Sequence, residues 1–188
     1  MRNVLVVVSG PSGVGKGTIV KTLLKRREDV VESVSCTTRA PREGEINGRE
    51  YYFLKKEEFL RRIDEGDFLE YDEHFGNYYG TPKSFVRETL KTKSVILEID
   101  VVGGFIAKKE FPECVLVMVA PPSLEELKKR LRGRKSETEE QIKHRLDRLE
   151  YELGHKDEYD YVIVNDDLEE AIQAFSDIID KEKNVEEK

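Results

Sequence analysis

The stretch Val4-Leu5-Val6-Val7-Val8-Ser9-Gly10-Pro11-Ser12-Gly13-Val14-Gly15-Lys16-Gly17-Thr18 decides the fold. The run Val4–Val8 predicts a short, fully buried strand. Ile19, Val20, Leu23 and Leu24, which follow, give the apolar face of a helix. Between them lies a phosphate-binding loop in the setting that gives it meaning, strand to loop to helix. Glycines let the backbone curl so that successive N–H groups point inward, forming an anion nest at a helix N-terminus. Lys16 adds a mobile positive charge for the β and γ phosphates, which makes Gly10 to Thr18 a nucleotide-phosphate-binding segment. The residue after Lys16 is Gly17, where Ser or Thr normally offers a hydroxyl to Mg²⁺. Thr18 carries a hydroxyl one position later. An ordinary glycine-rich turn is the alternative reading.

Three further apolar runs, Val95–Ile99, Val115–Val119 and Tyr161–Val164, are continuous rather than alternating, and a weaker one surrounds Ser33–Cys36. Such strands suit a parallel sheet covered on both faces. Helical patterns fall between and after them, at Ile142, Leu146, Leu149 and Leu153, and at Leu168, Ala171, Ile172, Phe175 and Ile179. Ser123-x-x-Glu126, Ser136-x-x-Glu139 and Asp166-x-x-Glu169 read as helix starts. Strands alternating with helices predict a three-layer α/β fold with a mostly parallel central sheet. The tail Lys181–Lys188 has one apolar residue, Val185, and is expected to fray.

At 188 residues the chain suits one domain and can bury roughly 70% of its surface. A net charge of −7 argues against a nonspecific grip on nucleic acid or anionic membrane. Two cysteines, Cys36 and Cys114, form neither a metal pattern nor a disulfide framework, which suits a reducing cytoplasm. Val4–Val8 is too short for a signal h-region or a membrane span. No protein partner is evident.

Two clusters outside the loop point to phosphate chemistry. Glu98-Ile99-Asp100 closes the run Val95–Ile99, and residues two apart on a strand share a face. The strand's C-terminal end is where ligands bind in open α/β sheets. Glu98 and Asp100 are therefore candidates to hold a hydrated Mg²⁺, with water between; a solvated strand end capping the next helix is the alternative. Residues 37–82 break the strand–helix rhythm with Gly, Tyr, Arg and Glu, and carry one amphipathic patch at Phe59, Leu60 and Ile63. There, Arg39, Arg42, Tyr51 and Tyr78-Tyr79 offer guanidinium forks and phenols to a second phosphate; a solvated basic loop competes with that reading. Two phosphate sites in one chain imply transfer between them.

Ser12–Lys16, Ser35-Cys36-Thr37-Thr38-Arg39-Ala40-Pro41-Arg42, Gly44-Glu45, Asn47-Gly48, Tyr51, Gly76-Asn77-Tyr78-Tyr79-Gly80 and Glu98-Ile99-Asp100 together resemble guanylate kinases. The likeness continues through Ala120–Ser123, Lys129–Leu131, Gly133-Arg134 and Val164–Asp166. It implies a core (1–36, 84–125 and 151–188), a GMP-binding insertion at 37–83 and a lid region at 126–150. It further implies transfer of the γ-phosphoryl group of ATP to GMP, dGMP included as acceptor. On the resemblance, Arg39, Arg42, Tyr51 and Tyr79 hold the GMP phosphate, while Ser35, Glu70, Thr81 and Asp100 face guanine. Arg130, Arg134 and Arg145 join Lys16 and Arg39 as catalytic groups, and Asn165 sits near adenine.

The attacking group would be an ionised phosphate oxygen, so no strong base is required. That fits three histidines (His74, His144, His155) outside any motif, expected to be surface or structural. Guanine presents N1–H and N2–H₂ donors side by side, which one carboxylate accepts together, whereas adenine offers a lone pair at N1. Two alternatives stand: another nucleoside-monophosphate kinase such as adenylate kinase, which shares Gly-Lys-Gly-Thr, and a noncatalytic guanylate-kinase-like domain that binds phosphopeptides.

Overall fold

Strand β1 (Leu5–Ser9) is buried along its whole length, and period-2 alternation divides its side chains between two cores. Val6 and Val8 pack with Ile19, Val20 and Leu23 of α1 (Lys16–Arg26) and with Ile172, Phe175 and Ile179 of the C-terminal helix. Leu5 and Val7 face the opposite way, into a core shared with Val86, Val101, Ala107, Leu116 and Met118. A strand covered on both sides needs apolar residues at every position, which is why the run is continuous rather than alternating.

The computed structural model describes residues 2–74, 76–123, 125–126 and 149–185. In chain order the remaining elements are β2 (Val30–Glu32), β3 (Cys36–Thr37), β4 (Tyr52–Phe53), α2 (Lys56–Asp64), β5 (Phe68–His74), β6 (Asn77–Pro82) and α3 (Lys83–Leu90). There follow β7 (Ser94–Glu98), α4 (Val101–Glu110), β8 (Val115–Ala120), β9 (Tyr161–Val164) and α5 (Leu168–Lys183). The central sheet has the order β2-β7-β1-β8-β9 and every neighbouring pair is parallel. The expected α/β architecture is present, and β1 at its centre delivers the glycine-rich loop to the sheet's C-terminal edge.

A second sheet, of order β4-β3-β6-β5, mixes one parallel pair with antiparallel ones and has its own small core. Phe59 of α2 is fully buried, with Phe68 stacked at 4.2 Å and Tyr78 at 5.5 Å. Cys36 fills the same cluster, and burial pushes its thiol up to about 11. It is a packing residue, protonated at neutral pH.

Four expectations need correction. The fifth strand of the central sheet is Val30–Glu32, not Ser33–Cys36: Val30 and Val31 register against Ser94 and Val95, and the chain leaves the sheet once Ser33 N has donated to Ile96 O. Of the amphipathic patch, Phe59 and Ile63 pack inward while Leu60 is exposed, because α2 presents only one narrow stripe to the sheet. The cap of α5 is Asp167, accepting from Glu170 N at 3.0 Å, one residue beyond Asp166. Lys181–Lys183 do not fray: α5 runs to Lys183, whose ammonium meets Asp29 at 2.6 Å while its carbonyl accepts from Arg2 N, and residues 186–188 of the tail lie outside the described residues. Ser123 does start a helical turn, accepting from Glu126 N. Residues 149–154 are helical, with Leu149 buried; Ile142, Leu146, His144 and the Ser136–Glu139 box lie outside the described residues.

Candidate functional site

The loop between β1 and α1 is shaped by backbone that only glycine tolerates. Gly10 has φ 142°, and a Cβ there would lie 2.2 Å from Val119 O, so the loop crosses the end of β8 in direct backbone contact. Val14 is fully buried and anchors the loop in the core beneath it. Lys16 folds back over the loop, its ammonium donating to the carbonyls of Gly10 and Pro11. A cavity of about 360 Å³ lies above, walled by Ser12, Lys16, Gly17, Thr18, Lys21 and Glu98. Thr18 is thus at the loop's open face.

Glu98 ends β7, opposite Val8, and lines this cavity together with two of its neighbours, of about 500 and 450 Å³. Asp100 does not continue the strand as expected. It is the N-cap of α4, its carboxylate accepting from Gly103 N at 2.8 Å, because the chain turns out of the sheet at Ile99. Both carboxylates nevertheless border the cavity that holds Gly10 and Lys16. At Gly17 a Cβ would sit 3.5 Å from Glu98 Oε2, an ordinary contact, so the loop passes close beside this carboxylate. No group of three or more His, Cys, Asp or Glu suited to a metal exists among the described residues. Two carboxylates and a threonine hydroxyl suit a hydrated hard cation that takes its other oxygens from phosphates.

The second sheet supplies the facing wall. Thr81 Oγ1 donates to Glu70 Oε1 at 2.7 Å, and Ser35 Oγ lies 3.5 Å from the same threonine oxygen. The β5–β6 pairing sets Glu70 directly beside Thr81. Burial is the main influence on the Glu70 carboxyl and pushes its pKa up, against the Thr81 hydrogen bond. Asp100 borders the cavity of about 420 Å³ that Glu70 and Tyr79 line. The four residues expected around a base therefore converge.

The phosphate-binding candidates are more dispersed. Tyr51 lines the cavity of about 500 Å³ with Ser35 and Thr81, and its ring meets Tyr79 edge-on at 6.0 Å. Arg39 stands behind that wall, its guanidinium over the rings of Tyr51 and Phe53 and paired with Glu45. Arg42 is exposed; its backbone N–H, rather than its guanidinium, is engaged with Glu45. Asn165 is buried and donates to Val14 O of the loop. Arg130, Arg134 and Arg145 lie outside the described residues.

Sequence reasoning missed four polar residues here. Glu45 stood in the recognised pattern without a role. Lys21, Arg49 and Glu152 line the cavities, and Glu152 is buried beside the loop on the helical stretch 149–154. Lys21 sits on α1 one turn after Gly17 and Thr18, which line the same cavity, a charge placement the helix period could have exposed. Nothing local distinguishes Glu152. His155 packs edge-on against Phe105 and Tyr151 away from these cavities.

A family model described as guanylate kinase matches residues 2–182. Guanylate kinases of Clostridium perfringens and Clostridium tetani are each 49% identical over 183 residues, 97% of this chain and 85% and 88% of theirs. That of Caldanaerobacter subterraneus is 45% identical over the same length, covering 97% and 89%. The crystal structure of guanylate kinase from Anaplasma phagocytophilum superposes with a TM-score of 0.73 at 37% identity, covering 98% of this chain and 88% of that one. A shikimate kinase from Bacteroides thetaiotaomicron, 14% identical with a TM-score of 0.52 over 94% and 98%, shares the fold.

Proposed function

Since the chain belongs to the guanylate kinase family, we propose from its geometry how the work is divided among its residues. The reaction is ATP-dependent phosphorylation of GMP, giving ADP and GDP. On our reading Gly10 to Thr18 cradle the triphosphate of ATP through backbone N–H groups, with Lys16 leaving its carbonyl partners to meet the β and γ phosphates. Ser35, Glu70, Thr81 and Asp100 receive guanine. Arg39, Tyr51 and Tyr79 hold the GMP phosphate, and Arg42 swings in to join them.

The observation that carries the acceptor assignment is the half-buried Glu70 carboxylate with Thr81 donating to it. Its remaining lone pairs match the N1–H and N2–H₂ edge of guanine. Adenine would set its N1 lone pair against the same oxygens. A buried site of this type discriminates by about 10⁴–10⁵, since the wrong base leaves polar groups unpaired.

Transfer needs no strong base, because the attacking GMP phosphate oxygen is already ionised. The protein's contribution is in-line positioning and charge neutralisation. Lys16, with Arg130, Arg134 and Arg145 on the family pattern, would neutralise charge on the transferred group and exclude water. Glu98, with Asp100 through water and Thr18 nearby, would hold Mg²⁺, which when bound offsets phosphate charge.

ADP release from Mg-ATP, measured with GMP, dGMP, AMP, UMP and CMP separately, tests the whole reading. Turnover with GMP, or with GMP and dGMP, is expected. Turnover with AMP would discard the guanine pocket while keeping the phosphate loop. Tight GMP binding without any turnover would favour a phosphopeptide-binding domain instead.

A further inference from the structure

Asn165 follows β9 and is tied down on both sides of its Cα. Its backbone N–H donates to Ala120 O at the end of β8, at 2.9 Å. Its side-chain Nδ2 donates to Val14 O at 2.7 Å, inside the protein, across 151 positions of sequence. The residue is only 7% exposed. A Cβ on Gly15 would come within 2.4 Å of Nδ2, and Gly15 has φ 102°. The amide of Asn165 thus occupies the space beneath the loop that a side chain at position 15 would need.

This contact controls a donor on the other side of the loop. In a planar trans peptide the C=O and the following N–H point in opposite directions. Fixing Val14 C=O downward onto Asn165 therefore turns the Gly15 N–H upward, toward the cavity walled by Ser12, Lys16 and Thr18. The Gly15 φ of 102° sets this peptide plane in an orientation that an L side chain at position 15 would resist, and the hydrogen bond from Asn165 holds it there. An aspartate of the same shape would set a carboxylate against a carbonyl oxygen and hold nothing.

We propose that Asn165 is a positioning residue for the triphosphate: it fixes the Val14–Gly15 peptide so that the Gly15 N–H faces the phosphates. This rests on the reading of Gly10 to Thr18 as the ATP phosphate site. It differs from a contact between Asn165 and adenine in one measurable respect. The base plays no part, so inorganic tripolyphosphate should depend on Asn165 as strongly as ATP does.

Titration calorimetry of the full chain and its Asn165→Ala variant, with ATP, tripolyphosphate and GMP in turn, provides the test. Affinity for ATP and for tripolyphosphate should fall by the same factor, about 10-fold or more, with GMP affinity unchanged. Loss for ATP alone would overturn the proposal in favour of an adenine contact. No loss for either, or an equal loss for GMP, would overturn it as well. Should Asn165→Ala fail to fold by circular dichroism, Asn165→Asp preserves the shape without the donor and is held to the same outcomes. A wild-type chain that ignores tripolyphosphate would overturn the phosphate-loop reading itself, and this proposal with it.

Discussion

The Glu45 carboxylate grips the Arg39 guanidinium with both oxygens, at 2.9 and 3.0 Å, and one of them also accepts the Arg42 backbone N–H at 2.7 Å. Both side chains are mostly sheltered, at 15% and 17% exposure, so solvent screens the pair less than an ordinary surface bridge. One acid therefore fixes the fork of one arginine and the backbone of the next. The hydrogen bond to Glu45 is also the first reason the Arg39 guanidinium is held still more firmly protonated.

Removing that fixture should be felt by GMP alone. Replacing Glu45 with Gln removes a charged bidentate partner and leaves the guanidinium fork a single acceptor. KM for GMP should rise about 10-fold or more, with KM for ATP unchanged, in steady-state ADP release. Arg39→Lys should not substitute, because an ammonium cannot reproduce the planar fork. Tighter GMP binding by Glu45→Gln would show that the acid restrains Arg39 rather than positions it.

Glu70 yields a prediction in two directions. Gln in its place offers guanine one acceptor and an opposing NH₂ group, so GMP affinity should drop about 100-fold while ATP affinity holds. Burial raises the Glu70 pKa, so its proton is retained to higher pH in the folded chain than in the unfolded one. Its favourable contribution to stability is present below the unfolded pKa and lost as pH rises through the folded one. The free chain should accordingly be more stable as Glu70→Gln than as wild type at neutral pH, measured by denaturant midpoints. GMP binding requires the ionised form, so it should weaken as pH falls through a range above the usual glutamate value of about 4.3, with proton release on binding.

Much of this is legible in the amino-acid sequence, for reasons specific residues make plain. Val4–Val8 declares a doubly covered strand because a central parallel strand has no polar face to signal otherwise. Gly10, Gly13 and Gly15 declare the loop because each holds a positive φ. What stayed hidden depends on long-range pairing. β2 and β3 have three and two residues, and their registers are set by Ser94–Ile96 and by Tyr79-Gly80, which no local period encodes. Asp100 looked like the third residue of a strand end, because the turn at Ile99 has no glycine or proline to mark it. Asn165 carried only the family's expectation of adenine, because its contact with Val14 spans nearly the whole chain.

Lys16 allows catalysis and folding to be separated. Its ammonium donates to the loop carbonyls of Gly10 and Pro11, and both oxygens can turn to water when it is removed. The packing of α1 rests on Ile19, Val20 and Leu23 instead. Lys16→Ala should keep the circular dichroism spectrum and denaturant midpoint close to wild type. Phosphoryl transfer should fall by at least about 10²–10³, the scale for deleting a charge-stabilising donor. Near-normal turnover would remove Lys16 from the catalytic groups.

The end of α5 is held by charge rather than by apolar docking, and pH can test that. Asp29 accepts from Arg27 at 2.8 and 3.0 Å and from Lys183 at 2.6 Å, while Asp180 lies 2.7 Å from the same arginine. Arg27, first, and then Lys183 hold the Asp29 carboxyl well below the usual range. A depressed carboxylate stabilises the fold above its unfolded pKa of about 3.9, and that contribution disappears as pH falls through the folded value. Asp29 is 43% exposed, so solvent screening limits the contribution of the network to about 1 kcal/mol. Asp29→Asn should therefore lower stability by about that amount at pH 7, in urea denaturation. The deficit should shrink on acidification, as wild type protonates, and shrink also in high salt. A deficit that persists unchanged under both conditions would mean that Asp29 acts through packing or hydrogen-bond geometry, and the ordering of Lys181–Lys183 would need another cause.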